Sequence, residues 1–179
     1  MTAFTQEDGY GDRLDWKILS DGGIALYWRR EFLDGDIDWF RRHNYQVFSC
    51  DCGRWATSEE MYADLHRTLP FSTDIGGNLD ALDDSLDDLP VPDVGGIALV
   101  LTHFDAYAKG PGAAPKPPGH PEAEIVLDIL ARASRNFLLA GRRFLTLVQT
   151  DDPGAKFDRL GCVSAQWNRR EWLNKNRNL

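Results

Sequence analysis

The sequence predicts an α/β fold, in which a layer of helices lies on a small, mostly parallel sheet. Segments with the length and alternation of strands recur between segments with helical periodicity, which is the pattern of parallel α/β sheets. Residues 96–103 form a nearly continuous apolar run, as expected for a central strand covered on both faces. The chain has 179 residues, of which 42% are hydrophobic, so its length and composition fit one globular domain rather than a disordered or fibrous chain.

The first quarter of the chain is predicted to contribute an extra strand and helix. Residues 1–21 show little periodicity and are predicted to form a loose arm. A strand is expected over residues 24–28, and a helix in the second half of residues 31–43. Residues 45–50 then alternate between apolar and polar side chains in the manner of a strand, where the main α/β pattern begins.

Two helices are predicted between residues 57 and 90. Thr57 or Ser58 caps the first helix, and Pro70 ends it. In the second helix, four leucines at positions i, i+3, i+7 and i+10 line one face, which indicates an amphipathic helix packed on a core. These leucines are Leu79, Leu82, Leu86 and Leu89.

The rest of the chain completes the predicted alternation of strands and helices. Residues 109–121 are rich in proline and glycine and are predicted to be an exposed connection. A long helix is expected over residues 122–140, and a strand over residues 143–149. The tail from residue 151 offers one more strand, residues 162–167, before a basic polar end.

These elements divide the chain into a core and two extensions. Residues 45–150 are predicted to form the α/β core domain. Residues 1–44 form an N-terminal extension, a strand–helix unit that packs on this core, and residues 151–179 form a C-terminal extension.

The negative charge is concentrated in one segment. Twenty basic and 28 acidic residues give a formal charge of −8, and residues 71–93 contain seven aspartates and no lysine or arginine. Without those seven, 21 acidic residues face 20 basic ones, a difference of −1. A nucleic-acid-binding surface would concentrate positive charge instead, so direct binding to RNA or DNA is not expected. Such a segment attracts a basic protein surface or a cation.

Sequence features also predict the compartment. No apolar run approaches the roughly 20 residues of a membrane helix, and the first residues do not resemble a secretion signal. The three cysteines are too few, and odd in number, for a disulfide framework. We therefore expect a cytoplasmic protein that has no membrane partner.

The aspartates of the second helix form a stripe. Asp80, Asp84 and Asp87 follow at i, i+4 and i+7 on one face, Asp83 flanks them, and Asp88 lies further round. Like charges at this spacing destabilise a helix by a few tenths of a kcal/mol per pair, so stability alone does not favour them. From composition, two interpretations stay open: a solvated acidic face and a binding surface.

The segment around this helix resembles the signature of the barstar family. Residues 76–84 read Gly-Gly-Asn-Leu-Asp-Ala-Leu-Asp-Asp, and the similarity extends from residue 45 to about residue 150, with the same order of strands and helices. Barstar is the intracellular inhibitor of a secreted bacterial ribonuclease. The resemblance implies a barstar-like layer of helices on the sheet and a helix that plugs the active-site groove of a ribonuclease.

The resemblance also implies roles for individual residues. Asp84 corresponds to the aspartate that enters the phosphate-binding site, with Asp80 beside it. A carboxylate mimics phosphate there through charge-assisted hydrogen bonds. Asn78 is expected to cap the helix, and Leu79 and Leu82 belong to the structural part of the motif. The remaining candidate contacts with the partner are Asp74, Ile75, Gly76, Gly77, Asp83 and Asp87.

The chain departs from the family pattern at the expected contact surface. Asp74 and Ile75 replace aromatic residues before the glycines, and Asp83 replaces a tryptophan. Arg132 aligns with an acidic residue of the following long helix. Lost aromatic anchors and a reversed charge predict a different contact set, and therefore a basic nuclease or toxin other than the family's ribonuclease.

The leading hypothesis is a protein inhibitor that needs no cofactor or metal and is not an enzyme. The alternative is an acidic adaptor or regulatory module that uses the same fold without inhibiting a nuclease. An enzyme is the third and least supported hypothesis, because the aspartate face has no evident division into acid and base. His103 and Asp105 follow a strand, but no nucleophile is placed with them.

The cysteines are predicted to be structural. Cys50 and Cys52 lie on the same face of a strand, but a zinc site needs two further ligands, and Cys162 is the one remaining cysteine.

Overall fold

The computed structural model describes residues 2–5, 12–72, 76–117, 119–158, 160 and 163–179. Five parallel strands form the main sheet, helices pack on both of its faces, and two short antiparallel strands form a second sheet. The predicted α/β fold, with helices on a mostly parallel sheet and an extra N-terminal strand–helix unit, is confirmed.

The main sheet has the strand order β2-β3-β6-β1-β7. Its strands, together with the small antiparallel pair β4–β5, are β1 (Ile24–Tyr27), β2 (Tyr45–Asp51), β3 (Gly96–Thr102), β4 (Pro115–Lys116), β5 (His120–Pro121), β6 (Phe144–Gln149) and β7 (Gln166–Trp167). β3 is an interior strand between β2 and β6, second from one edge rather than at the centre, and it is buried along its length as its apolar sequence predicts.

Helices connect most of these strands. They are α1 (Leu14–Ser20), α2 (Arg30–Arg42), α3 (Ser58–Thr68), α4 (Leu79–Asp87), α5 (Phe104–Lys109) and α6 (Glu122–Leu139), with 3₁₀ turns at Cys52–Arg54, Pro111–Ala113 and Asn174–Arg177. Within the residues that the structure describes, no helix combines the length and the apolar character needed to cross a membrane.

Side-chain alternation in the strands builds two cores on opposite faces of the main sheet. From β3, Ile97, Leu99 and Leu101 point to a core shared with α3, α4, α5 and α6. Ala98 and Val100 point to the other face, where they pack with α1 and α2. The acidic helix α4 therefore lies on the first face, and the N-terminal helices cover the second.

The main sheet contains strands from all three segments of the sequence. β2, β3 and β6 come from residues 45–150, β1 comes from residues 1–44, and β7 from residues 151–179. β1 pairs in parallel with β6 along one edge and with β7 along the other. Both terminal segments thus extend the sheet beyond β6, on the side away from β2.

Several sequence predictions of local structure were wrong. Part of the predicted arm forms α1, because Ile18 and Leu19 are buried against the sheet and fix a helix too short to show a clear period. α2 begins at Arg30, although the helix was predicted only in the second half of residues 31–43, because buried Leu33 extends its core-facing side by a turn. α5, held by buried Phe104 and Tyr107, was not predicted.

Two predicted connections also differ. Residues 109–121 contain the 3₁₀ turn Pro111–Ala113 and the β4–β5 pair rather than a plain loop. The predicted strand over residues 162–167 is reduced to Gln166–Trp167, and Cys162 lies outside the described residues.

A buried carboxylate fastens α1 to the sheet. Asp15 has no exposed surface and accepts hydrogen bonds from Arg13 (3.0 and 2.7 Å), from Tyr45 Oη (2.7 Å) and from the backbone nitrogen of Trp16 (2.8 Å). Burial of Asp15 favours its neutral form, but these hydrogen bonds outweigh burial and hold the pKa of the carboxyl below its ordinary value.

A second buried carboxylate fastens the C-terminal segment to α2. Glu171 accepts hydrogen bonds from the backbone nitrogens of Trp28 (3.0 Å) and Arg29 (2.8 Å), directly before the first turn of α2. A carboxylate at this position pairs with the backbone N–H groups that lead into the helix, and its charge complements the helix dipole.

Candidate functional site

The sequence of α4 fixes where the helix begins and which side faces the core. Asn78 is the N-cap, and its Oδ1 accepts a hydrogen bond from the backbone nitrogen of Ala81 at 2.8 Å. Leu82 and Leu86 are fully buried, and Leu79 is partly buried against the same core. The cap and the leucines hold the helix in one position and turn its aspartates away from the sheet.

Two of these aspartates contact the neighbouring helix α6, and we call Asp83 and Asp87 the inner pair. Arg132 Nε donates to Asp83 Oδ1 at 2.8 Å, and Arg132 Nη2 also contacts that carboxylate and lies 3.6 Å from Asp87 Oδ2. Asn136, one turn later on α6, donates to Asp87 Oδ1 at 3.3 Å. The inner pair is therefore partly neutralised within the protein.

The other three aspartates form the outer row, Asp80, Asp84 and Asp88. All three are exposed, and no ion pair or hydrogen bond from a side chain reaches them among the residues that the structure describes. Because they are spaced four residues apart, they lie on one side of the helix. The stripe predicted from sequence joined Asp87 to Asp80 and Asp84, whereas the contacts place Asp87 with Asp83.

The glycines before α4 are exposed, and neither has a left-handed backbone. A Cβ atom at Gly76 would lie 3.2 Å from the Cβ of Ala81, whereas a Cβ at Gly77 would meet nothing within 4 Å. Space for a close approach of a partner is therefore open at Gly77. The other two candidate contacts, Asp74 and Ile75, lie outside the described residues.

A groove of about 320 Å³ adjoins Asp80 at the start of α4, and Gly77 and Lys116 also line it. At its base, Glu122 is 1% exposed, accepts hydrogen bonds from Tyr62 Oη (3.0 Å) and Ser58 Oγ, and lies 3.8 Å from Lys116 Nζ. Sequence analysis did not connect Lys116 or Glu122 with this surface. They come from β4 and the start of α6, which only the fold brings beside Asp80.

Two of the three cysteines lie in the core, and Cys162 is outside the described residues. Cys50 and Cys52 are buried free thiols, and burial raises the pKa of Cys50 to about 12. Within the described part of the chain, no group of three or more His, Cys, Asp or Glu side chains is arranged to hold a metal ion.

His103 pairs with a residue that the sequence did not suggest. Its ring Nδ1 lies 2.8 Å from Asp151 Oδ2, while Asp105 accepts a hydrogen bond from the backbone nitrogen of Asp151 at 2.9 Å. The bond to His103 lowers the pKa of Asp151. These contacts tie the loop after β6 to the end of β3, at the carboxyl ends of these two parallel strands.

The fold and this site define a class: small α/β proteins that present a carboxylate-rich, capped helix at their surface. Residues 45–149, from β2 to β6, match the family model described as Barstar (barnase inhibitor), and the chain therefore belongs to the barstar family. In a comparison with curated proteins, no sequence matched the chain. The family description is that of an inhibitor that binds a ribonuclease, so the family role is a protein–protein interaction rather than catalysis.

Proposed function

We propose that α4 plugs the basic active site of a ribonuclease or a related nuclease toxin, with Asp84 at the phosphate-binding position and Asp80 beside it. The observation that carries the proposal is the outer row, because Asp80 and Asp84 are exposed and unpaired within the described residues. A nuclease groove gathers cationic side chains to hold a phosphodiester. Carboxylates in that groove form charge-assisted hydrogen bonds, which are stronger than neutral ones.

The rigidity of α4 supports this role. Its N-cap at Asn78, its buried leucines and the contacts of Arg132 with the inner pair fix the helix before any partner arrives. A preorganised surface loses little conformational freedom on binding, so more of the contact energy appears as affinity. The concentrated negative charge also accelerates encounter with a basic partner.

The inner pair argues for a partner other than barnase. Asp83 stands where the family has a tryptophan, and it is occupied by Arg132 rather than free to contact a second protein. A half-buried carboxylate–guanidinium pair that is already satisfied within the protein is a poor substitute for a buried aromatic anchor. The proposed target is therefore a different basic nuclease or toxin, met inside the cell that makes this protein.

A capture experiment tests the proposal. The wild-type chain and the Asp80→Ala/Asp84→Ala variant are immobilised and exposed to lysate and culture medium of the source organism. The matched control is Asp34→Ala/Asp38→Ala, which removes two exposed aspartates at the same i, i+4 spacing from α2. We expect wild type and control to capture a basic nuclease that the α4 variant does not capture, and titration of that nuclease with wild type to abolish its activity at a 1:1 ratio.

Two other outcomes contradict the proposal. Capture of a partner without nuclease activity, dependent on Asp80 and Asp84, would favour the acidic adaptor. Capture of the same proteins by all three versions would show that the outer row is not the binding surface.

A further inference from the structure

Arg132 divides the aspartates of α4 into two groups with different surroundings. It projects from α6 and reaches Asp83 and Asp87, which are one helical turn apart, while Asp80, Asp84 and Asp88 are beyond its contacts. All the ion pairs that α4 makes within the described residues involve this one side chain. The side chain of Arg132 is itself 34% exposed, so its charge lies at the border of the acidic surface.

The contacts of Arg132 are specific rather than incidental. Its guanidinium donates through Nε and Nη2 to the Asp83 carboxylate and also lies 3.5 Å from the backbone oxygen of Asp83. A planar guanidinium with several donors in a fixed arrangement suits this geometry better than a lysine ammonium. Asn136 holds Asp87 from the next turn, so α6 contacts the whole inner pair.

We infer that Arg132 is a positioning and specificity residue of the proposed inhibitory surface: it withdraws Asp83 and Asp87 and leaves Asp80, Asp84 and Asp88 as the carboxylates offered to a partner. This inference rests on the proposed function only for its consequence in binding. The consequence concerns the partner's chemistry. Cations of the partner meet the outer row, and a cation aimed at Asp83 is repelled by Arg132.

The division has a second effect, on the helix itself. Five aspartates in nine consecutive positions repel one another, and like charges four residues apart are unfavourable. Arg132 places one positive charge beside two of the five carboxylates without covering the other three. The arrangement combines an intact helix with a high density of exposed negative charge.

The experiment measures the local charge at each aspartate and needs no partner. The full chain is labelled with ¹⁵N, and relaxation of its amide protons is recorded with a cationic and, separately, an anionic nitroxide. The ionic strength is about 0.15 M, where a Debye length of about 8 Å keeps the field of each charge local. The ratio of the enhancement by the cationic nitroxide to that by the anionic nitroxide reports the electrostatic potential near each amide, and a more negative potential gives a higher ratio. In wild type we expect a ratio at least twofold higher, as an order-of-magnitude estimate from removal of one compensating charge, at the outer row than at the inner pair.

Variants assign the difference to Arg132. In Arg132→Ala the ratio at Asp83 and Asp87 is expected to rise to the level of the outer row. Arg132→Lys, which keeps the positive charge, should largely retain the wild-type pattern. In Arg132→Ala/Asp83→Asn the ratio at residue 83 should fall again, a reversal that general damage to the helix would not produce.

The outcomes separate this inference from the proposed function. Equal ratios at all five aspartates of wild type would overturn the inference without any variant being needed, and so would an unchanged pattern in a folded Arg132→Ala. Neither result bears on whether Asp84 binds a nuclease. Conversely, a failed capture experiment with a divided potential would remove the inhibitory role and leave the role of Arg132 in charge division.

Discussion

The N-terminal segment with α1 and α2 and the acidic helix α4 are both rich in aspartate, but they use these residues differently. In the N-terminal segment, Asp34 pairs with Arg30 (3.1 Å) and Asp38 with Arg41 (3.3 Å), while Asp36 contacts Arg170. Of the five aspartates in α4 and at its C-cap, three are exposed without such a partner among the described residues. The comparison shows that acidic composition does not identify a binding surface by itself. The two regions differ in whether their aspartates have ion-pair partners within the protein.

The same contrast separates structural carboxylates from those proposed to bind a partner. Asp15 and Asp36 are buried and hydrogen-bonded, so their removal acts on folding. Asp84 is exposed and makes no ion pair or side-chain hydrogen bond within the described residues, so its removal should act on binding.

The largest expected effect is on binding. Asp84→Ala should weaken the complex with the captured nuclease by about 2–5 kcal/mol, because a desolvated charge contact is lost and the partner's cation stays buried without it. Stability of the free protein should rise by a few tenths of a kcal/mol, since a like-charge neighbour is removed and alanine favours the helix. Calorimetric titration and urea unfolding measure the two quantities.

The control for Asp84→Ala comes from α2. Asp38→Ala removes an exposed ion pair, which contributes at most about 1 kcal/mol to stability, and should leave binding unchanged. If both variants weakened the complex equally, net charge rather than the position of Asp84 would govern binding, and the contrast between the two regions would fail.

Asp15→Asn is expected to lower the free energy of unfolding by about 1–3 kcal/mol at pH 6, because four donor groups lose an ionised acceptor. The folded-state pKa of Asp15 is below its ordinary value of 3.8, so ionisation of Asp15 contributes fully to the stability of the fold at pH values above 3.8. This contribution is lost as the pH falls through the folded-state pKa.

Urea unfolding of both proteins between pH 6 and pH 2 checks the sign. The difference between wild type and Asp15→Asn should be largest near pH 6 and should shrink below pH 3.8. A constant difference over the whole range would mean that the charge of Asp15 is not what stabilises α1 on the sheet.

Much of the fold is predictable from the sequence, because its strongest signals are local. The apolar run of β3 and the four leucines of α4 specify their elements without reference to the rest of the chain. Short helices carry less information. α1 and α5 have seven and six residues, so each shows barely two turns of periodicity and depends on burial against the sheet.

The site is predictable only in part. The motif places Asn78, Asp80 and Asp84 on one short helix, and local periodicity is enough for that. The partner of Asp83 is Arg132, 49 residues further along the chain, and no local pattern indicates their contact. Tertiary contacts decide which aspartates are compensated, so the division of α4 into an inner pair and an outer row required the structure.

Asp36→Ala should lower the free energy of unfolding by about 1–3 kcal/mol and leave partner binding unchanged. Asp36 Oδ2 accepts a hydrogen bond from Tyr27 Oη at 2.8 Å, and the Tyr27 side chain is fully buried, so its hydroxyl would lose its acceptor. Asp36→Asn, which keeps an oxygen acceptor, should lose less. Equal losses in the two variants would assign the effect to the charge that contacts Arg170 instead.

The smallest expected effect comes from the glycine in α2 and tests whether this residue lowers the stability of the protein. Gly35 lies within α2, is exposed, and has no left-handed φ; a Cβ atom there would meet only Arg170 Nη1, at an ordinary contact distance of 3.8 Å. Gly35→Ala should therefore raise the free energy of unfolding by about 0.5–1 kcal/mol, because alanine restricts the unfolded chain and favours the helix. Thermal unfolding measures the gain, and capture of the nuclease should not change, since α2 and α4 lie on opposite faces of the sheet. A loss of stability would mean that Arg170 needs the space beside Gly35 to hold Asp36, and that α2 is fixed by this contact more than by its own helical propensity.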